Sequence, residues 1–256
     1  TDLPKSVGDL EEHFGNFSSV LIDEGQDLPI DFIRNLLNLL ESQRHLPSLV
    51  IAFDPNQAIV QPTGDALHRL VDFCDQVTLR YCYRSTSEIV GLARSLMERL
   101  HGNYAATDHE NRHYIDASRD ETTQTVTALS GPETRTLEVS SDEVVGTALA
   151  ECSRLYDDGL ENPVAILVAG SKEDFKAAES ILLKGLPDLT VRDVKSSKGL
   201  EFHHGVVVDL LKHDPEMNNR LTRHQYQRLA ELYVAVTRFS VSLTCIAGPD
   251  SPLVAE

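Results

Sequence analysis

The chain has 256 residues, of which 41% are hydrophobic, enough to bury the core of one domain or of two. It carries 23 Lys and Arg residues against 40 Asp and Glu residues, a formal net charge of −17. This balance argues against a broad phosphate-binding surface, which needs clustered cations, but leaves a localised basic groove open. No apolar run reaches membrane-spanning length. The four cysteines form no CxxC pair, which favours reduced thiols of a cytoplasmic protein over a disulfide framework or a zinc site.

Short apolar runs alternate with helical patterns over the first 100 residues. The run at 20–22 predicts a buried strand, and further strands are predicted at 49–53 and 77–79. Apolar residues at helical spacing after Pro29 predict a helix, since proline is favoured at the first helical position. The pattern Ser85-x-x-Glu88 predicts a capping box, in which the two side chains bond to the backbone and begin a helix through about residue 100.

The stretch 102–134 is polar, rich in threonine and without period, so we expect an irregular connector. His101, His109 and His113 cluster in and around this connector. A metal site is an alternative for these histidines, but without a helical pattern or a HExxH frame a solvated loop is favoured.

Regular patterns of strands and helices resume in the second half of the chain. Strands are predicted at 137–139, 164–168, 191–194, 206–209 and 241–246. A second capping box, Ser140-x-x-Glu143, predicts the start of a helix that runs through about residue 156, and further helices are predicted at about 171–183 and 222–238. Strands that alternate with helices indicate a parallel sheet covered on both faces. The sequence therefore predicts an α/β protein with blocks at 1–101 and 135–256, joined by the connector.

Two adjacent carboxylates follow the first predicted strand. The sequence SSVLIDEGQD places Asp23 and Glu24 where that strand ends, and ligands bind at the carboxyl ends of strands in open parallel sheets. One carboxylate can hold Mg²⁺ through water, and its neighbour can orient or deprotonate an attacking water. An acidic pair that merely begins a turn is an equal alternative, although the following Gln26 and Asp27 make the pattern less generic.

Two further polar side chains follow predicted strands. In FDPNQAI, Gln57 comes three residues after Asp54 and can sense a phosphate or a water, although a Pro-Asn turn alone is the simpler interpretation. In LRYCYRS, Arg84 precedes a predicted helix and can pair with a γ-phosphate as an arginine finger. A solvated arginine at the start of a helix is the commoner case for any single arginine.

Two motifs of the second block carry cations. In DVKSSKGLEF, Lys198 and Gly199 lie in a loop that Glu201 closes; glycine allows a tight turn, and the loop N–H groups can meet phosphate oxygens. A basic turn between strands is the alternative. ELYVAVTR ends a predicted helix with Arg238, which could instead complement the helix dipole.

In this fixed order, the five motifs resemble those of superfamily 1 helicases of the UvrD/Rep/PcrA type. DEGQD is similar to motif II (usually DExQD), FDPNQAI to motif III (GDxxQxIY), and YCYRS to motif IV (NYRS). DVKSSKGLEF is similar to motif V (TxHxxKGLEF), and LYVAVTR to motif VI (LYVAxTR). The resemblance covers about residues 16–101 and 135–248.

The resemblance implies two RecA-like domains of the P-loop NTPase fold that bind ATP and Mg²⁺ between them. The block 1–101 would be the second half of the first domain, and 135–256 the second domain. The implied roles are as follows: Asp23 binds Mg²⁺, Glu24 is the catalytic base, Gln57 couples the γ-phosphate to movement, Arg84 and Arg238 are arginine fingers, Glu201 contacts the ribose, and Lys198 and Gly199 belong to the nucleotide-binding loop.

The departures from the family pattern limit what the resemblance implies. No GxxxxGK[ST] sequence occurs, and the family's P-loop lies upstream of motif II, so we expect the C-terminal part of a motor that is inactive by itself. Val60 and Gln61 stand where the family has an aromatic used for base stacking, and Cys82 where it has Asn. Asp193 and Lys195 replace Thr and His, which puts the DNA contacts of motif V in doubt. The stretch between motifs IV and V is too short for the family's inserted 2B domain.

The expected partners are weakly bound single-stranded DNA, the P-loop region of the same protein, and a protein partner or a second copy of the chain. Two alternatives stay open. One is an interaction module with a helicase-like scaffold and no turnover. The other is a motor of this fold that acts with RNA, RNA polymerase or a nuclease subunit.

Overall fold

Described residues of the chain group into two compact units, one up to Val77 and the other from Leu79 onward. The computed structural model describes residues 6–14, 17–41, 48–54, 57, 70, 73–75, 77, 79, 81–104, 127, 129–157, 164–211 and 223–254. Val60, Gln61, His109, His113 and most of the predicted connector lie outside the described residues. None of the helices in the described part is long and apolar enough to cross a membrane.

The described part of the first unit includes two helices and two strands. In chain order they are α1 (Val7–Phe14), β1 (Ser19–Ile22), α2 (Ile30–Glu41) and β2 (Ser48–Ile51). The strands are parallel, with Ile22 opposite Ile51. The apolar face of α2 packs with Leu10 of α1 and with the half-buried side of both strands, because apolar residues at helical spacing form one continuous stripe.

The strands of this unit are covered on one side. Val20 and Ile22 are half-buried, whereas Leu21 is 75% exposed and its neighbour Val50 on β2 is also exposed. The prediction of a fully buried strand at 20–22 is therefore wrong for Leu21. The strand predicted at 77–79 is also absent at the two of its residues that are described, since Val77 and Leu79 are exposed and lie outside any strand.

The second unit contains a parallel sheet of five strands. The strands are β3 (Arg135–Glu138), β4 (Val164–Ala169), β5 (Thr190–Asp193), β6 (Phe202–Asp209) and β7 (Phe239–Ala247), and their order across the sheet is β3-β7-β6-β4-β5. The helices that flank it among the described residues are α3 (Ser87–Tyr104), α4 (Val144–Asp157), α5 (Lys172–Gly185) and α6 (Arg223–Val236). The prediction of an α/β protein with a parallel sheet flanked by helices is confirmed.

The core of the second unit follows from the alternation of side chains along the strands. Val164, Ile166 and Val168 point to the side on which α4 and α5 pack. The residues between them are buried as well, so β4 is covered on both faces. This is why its sequence is a continuous apolar run and not an alternating one.

Helix α3 belongs to the second unit, although the sequence places residues up to 101 in the first block. It packs on α6 and β7. The backbone N–H of Thr86 donates to the carbonyl of Ser240, and the Ser85 hydroxyl donates to the carbonyl of Phe239. These tertiary contacts fix the start of α3 to the start of β7. The second unit therefore begins at Leu79, and not after residue 101 as the sequence predicts.

The predicted capping box at the start of α3 does not form. The Ser85 hydroxyl instead donates a hydrogen bond to the Phe239 carbonyl, and the Glu88 carboxylate accepts a 3.0 Å hydrogen bond from the Gly131 N–H. Gly131 also packs so closely on Thr86 that a Cβ there would lie 2.5 Å from its methyl group. The described end of the predicted connector is thus an ordered part of the second unit.

A buried carboxylate joins α4 to two strands. Glu151 accepts hydrogen bonds from Arg154 and Thr244 and forms a 2.8 Å ion pair with Arg135. These groups lower the pKa of Glu151, with the hydrogen bonds of Arg154 as the largest cause, although burial acts in the opposite direction. The folded state therefore favours the charged form of Glu151.

We expect Glu151→Gln to lower the free energy of unfolding by about 1–3 kcal/mol at neutral pH, because it weakens hydrogen bonds to charged partners inside the fold. Since the pKa is lowered on folding, this stabilisation is complete above the ordinary glutamate pKa and is lost as the pH falls through the lowered value. Urea unfolding of both proteins at pH 7 and at acidic pH tests this. A difference that grows with acidification would contradict the assignment.

Candidate functional site

The two acidic residues of the first unit lie at the carboxyl end of β1. Asp23 is exposed, and its Oδ1 accepts a hydrogen bond from the Glu24 N–H at 2.9 Å. Glu24 has φ 54° and ψ 42°, the left-handed region, which is rare for residues other than glycine, asparagine and aspartate. Among the described residues it is the one non-glycine residue with a positive φ. Such strain persists where surrounding contacts enforce it, often at functional sites.

The loop after β1 is held against the end of β2. The Gly25 N–H donates to the Ala52 carbonyl at 2.9 Å, and the Ala52 N–H donates to the Ile22 carbonyl at 2.8 Å. A Cβ at Gly25 would lie 2.7 Å from the Ile51 side chain. Glycine at this position therefore allows the close approach that gives Glu24 its backbone conformation.

A buried amide connects the two predicted motifs of this unit. The Gln26 side chain is fully buried; its Nε2 donates to Glu24 Oε2, and its Oε1 accepts from the Asp54 N–H at 3.0 Å. Asp54 Oδ2 in turn accepts a 2.8 Å hydrogen bond from Gln57 Nε2. Asp23, Glu24 and Gln57 thus share the carboxyl edge of the sheet, and Gln26 with Asp54 links the last two.

The acidic pair fits Mg²⁺ only in one mode. Among the described residues, no group of three or more His, Cys, Asp or Glu side chains is placed to hold a metal ion. Magnesium usually keeps several waters and is bound through one or two carboxylates together with substrate phosphates. Asp23, which is exposed, has the chemistry of such a carboxylate ligand.

In the second unit, Arg84 contacts residues far away in sequence. Its Nη1 donates to Glu201 Oε1 at 2.8 Å, and its Nη2 donates to the Thr237 carbonyl at 2.9 Å. Thr237 directly precedes Arg238, whose carbonyl accepts a 2.9 Å hydrogen bond from the Phe202 N–H. Arg84, Glu201 and Arg238 therefore converge at the amino-terminal edge of β6 and β7.

The loop before β6 requires a glycine. Gly199 has φ +75°, and a Cβ there would meet no atom within 4 Å. The requirement is therefore conformational and not steric. Lys198 is half-buried beside it, and its N–H donates to the Lys195 carbonyl. Lys198, Gly199 and Glu201 thus lie on one short segment that ends at the Arg84 contact.

The opposite edge of this sheet is acidic. Asp193 ends β5, Asp209 ends β6, and Glu231 of α6 lies close enough to both for their charges to act on it. Burial raises the pKa of Glu231, Asp193 and Asp209 raise it further, and Lys195 lowers it. Carboxylates disfavour an anion there, whereas the amino-terminal edge carries the partly exposed Arg84 and the buried Arg238.

The sequence predicts Glu24, Gln57 and Arg84 as site residues, but it does not predict the hydrogen bonds through which neighbouring residues connect them. Gln26 and Asp54 stand inside the predicted motifs, where their polar character after a strand was the available signal. Thr237 contributes only its carbonyl, which no side-chain pattern reveals. Comparisons with models of known protein families and with curated proteins find no match for this chain.

Proposed function

We propose that this chain is part of an ATP-dependent DNA helicase or translocase of RecA-like, P-loop NTPase fold, in which hydrolysis of Mg²⁺-bound ATP drives movement on single-stranded DNA. The observation that carries the proposal is the convergence of Arg84, Glu201 and Arg238 at one edge of the second sheet. Two arginines beside a glycine-containing loop are suited to a polyphosphate, because guanidinium groups pair with phosphate oxygens at fixed geometry.

The first unit supports the same proposal independently. Asp23 and Glu24 stand side by side at a carboxyl strand edge, and the buried Gln26 fixes the Glu24 carboxylate. In this proposal Asp23 binds the magnesium ion, which supplies positive charge to the phosphates. Glu24 orients an attacking water and accepts its proton, and Gln57, linked to Glu24 through Asp54 and Gln26, senses the reaction.

The second unit supplies charge and recognition. Arg84 and Arg238 neutralise the negative charge that develops on the transferred phosphoryl group. Glu201 accepts hydrogen bonds from the ribose hydroxyls, and the Gly199 turn lets the loop come close to the nucleotide. The net charge of −17 and the acidic carboxyl edge of the second sheet support a narrow DNA contact over a broad one.

The test is ATP hydrolysis by the complete protein, with and without single-stranded DNA. We expect DNA-stimulated hydrolysis in the wild type and almost none in Glu24→Gln, which keeps the shape of the side chain but cannot accept the proton. ATP binding by the variant should persist, because Glu24 acts on the water and not on the nucleotide. Turnover is measured as phosphate release, and binding by titration with a fluorescent ATP analogue.

Asp31→Asn is the matched control, because it removes one exposed carboxylate of the same unit, which pairs with Arg34 at 3.5 Å on the surface of α2. It should hydrolyse ATP as the wild type does. A Glu24→Gln protein with normal turnover would overturn the proposal. A complete protein that binds neither ATP nor DNA would favour the interaction module instead.

A further inference from the structure

Arg84 is held by two acceptors of unequal strength. Glu201 is a charged partner, but its side chain is 58% exposed, whereas the Thr237 carbonyl is a neutral backbone group. The third donor of the guanidinium, Nε, is buried without a hydrogen-bond partner. The Arg84 side chain is itself 33% exposed. The guanidinium therefore sits at the protein surface in an arrangement that leaves one of its donors unused.

The energetics of this ion pair favour exchange. Ion pairs between solvent-exposed groups contribute only about 0–1 kcal/mol, because water screens them and both side chains lose rotamer freedom. A phosphate group offers more acceptor oxygens and more charge than a carboxylate, and its pairing with arginine is frequently bidentate. A polyphosphate can thus replace the Glu201 carboxylate as the partner of Arg84.

The backbone at Arg84 stays in place during such an exchange. The next two residues are fixed to the start of β7 through the Ser85 hydroxyl and the Thr86 N–H. Only the side chain of Arg84 has to turn. Arg238 differs, because its residue is only 3% exposed and lies within the fold. The two arginines are therefore not equivalent: one is fixed by its surroundings, and the other can be moved by a competing anion.

We propose that Glu201 is a positioning residue that pairs with the Arg84 guanidinium until a polyphosphate replaces the carboxylate as its partner. The inference rests on the proposed function for the identity of the anion, a nucleoside triphosphate. If Glu201 also binds the ribose, then a single nucleotide would bind the Glu201 carboxylate through its ribose and the Arg84 guanidinium through its phosphates. Binding of the correct ligand would thereby release the arginine that acts on it.

The test follows the guanidinium signals of Arg84 by NMR in the chain labelled with ¹⁵N-arginine, assigned with Arg84→Lys. In the wild type we expect slow rotation of the guanidinium group. Glu201→Gln should accelerate it roughly two- to fivefold, in line with the small worth of exposed ion pairs. Sodium tripolyphosphate added to the wild type should shift the same signals, and it should bind Glu201→Gln more tightly because the competitor is gone.

Glu173→Gln is the matched control, because it removes an exposed carboxylate from the first turn of α5 with the same change in net charge. It should leave the Arg84 signals and the tripolyphosphate affinity as in the wild type. ATP should gain less affinity from Glu201→Gln than tripolyphosphate does, since ATP also loses a ribose contact.

Two results would overturn the inference: Arg84 signals that do not respond to Glu201→Gln, or signals that do not respond to tripolyphosphate at millimolar concentration. Hydrolysis enters none of these readouts. A complete protein without ATPase activity would therefore contradict the proposed function but not the exchange at Arg84. An active ATPase whose Arg84 signals do not respond would contradict the exchange but not the proposed function.

Discussion

Replacement of Gly205 by alanine is expected to unfold the second unit or to destabilise it by at least about 3 kcal/mol, beyond the usual cost of overpacking a core. Gly205 lies in β6 with Ala165 of β4 on one side and Leu243 of β7 on the other. A Cβ there would lie 1.9 Å from Phe239 Cε1 and 2.6 Å from the Ala165 carbonyl oxygen. Phe239 is fully buried, so neither the ring nor the backbone can move aside without loss of packing.

Hydrogen exchange of the β6 and β7 amides, together with urea unfolding, measures this effect within the second unit. Gly146→Ala is the matched control, because Gly146 is exposed on α4 and an added Cβ would meet no atom within 4 Å. It should raise stability by about 0.5–1 kcal/mol, since alanine is the better helix former. Equal behaviour of the two variants would show that β6 is not packed against Phe239 as described.

Each strand of the second unit could be located from the sequence, although the bounds differ: β6 begins at Phe202, four residues before its predicted start. Val164–Ala169 is apolar and buried on both faces, and a run that must be buried on both sides leaves little choice of structure. The short strands of the first unit show the limit of the same argument. A run such as the one around Leu21 is equally apolar, and its local sequence does not reveal whether another element covers the second side.

The start of α3 illustrates why local patterns fail where tertiary contacts compete. Ser85 and Glu88 have the spacing of a capping box, and the helix is where the pattern predicts it. However, the Ser85 hydroxyl reaches the Phe239 carbonyl and the Glu88 carboxylate reaches the Gly131 N–H. In a capping box the Ser85 oxygen would accept from a backbone N–H, whereas here the hydroxyl donates to a carbonyl that only the tertiary fold brings close.

The same limit explains the misplaced boundary between the units. The sequence pattern assigns Arg84 to the block of the preceding strands, because the chain runs on without a break in composition. The contacts of Arg84 with Glu201 and Thr237 place it in the second unit. Motif spacing predicts candidate functional residues, but the partner of a side chain more than 100 residues away depends on the order of the strands.

Arg84→Ala in the complete protein is expected to lower ATP turnover by about 10³–10⁵-fold, the range of arginine fingers that stabilise charge in the transition state. Because this stabilisation is absent from the ground state, the KM for ATP should change far less than kcat. Arg84→Lys should recover only part of the activity, since an ammonium group cannot form the planar paired contacts of a guanidinium group. Steady-state phosphate release at saturating DNA measures both constants.

Arg192→Ala removes an exposed arginine from β5 of the same unit and should leave kcat unchanged. Equal melting temperatures of Arg84→Ala and Arg192→Ala would exclude loss of folding as the cause, and equality is expected because the Arg84–Glu201 ion pair is half-exposed and contributes little stability. A variant that raises KM while kcat is unchanged would assign Arg84 to nucleotide binding alone. Normal values of both constants would show that Arg84 does not belong to the site. Glu201 would then lose its assignment as well, because its contact with Arg84 is what connects it to the site.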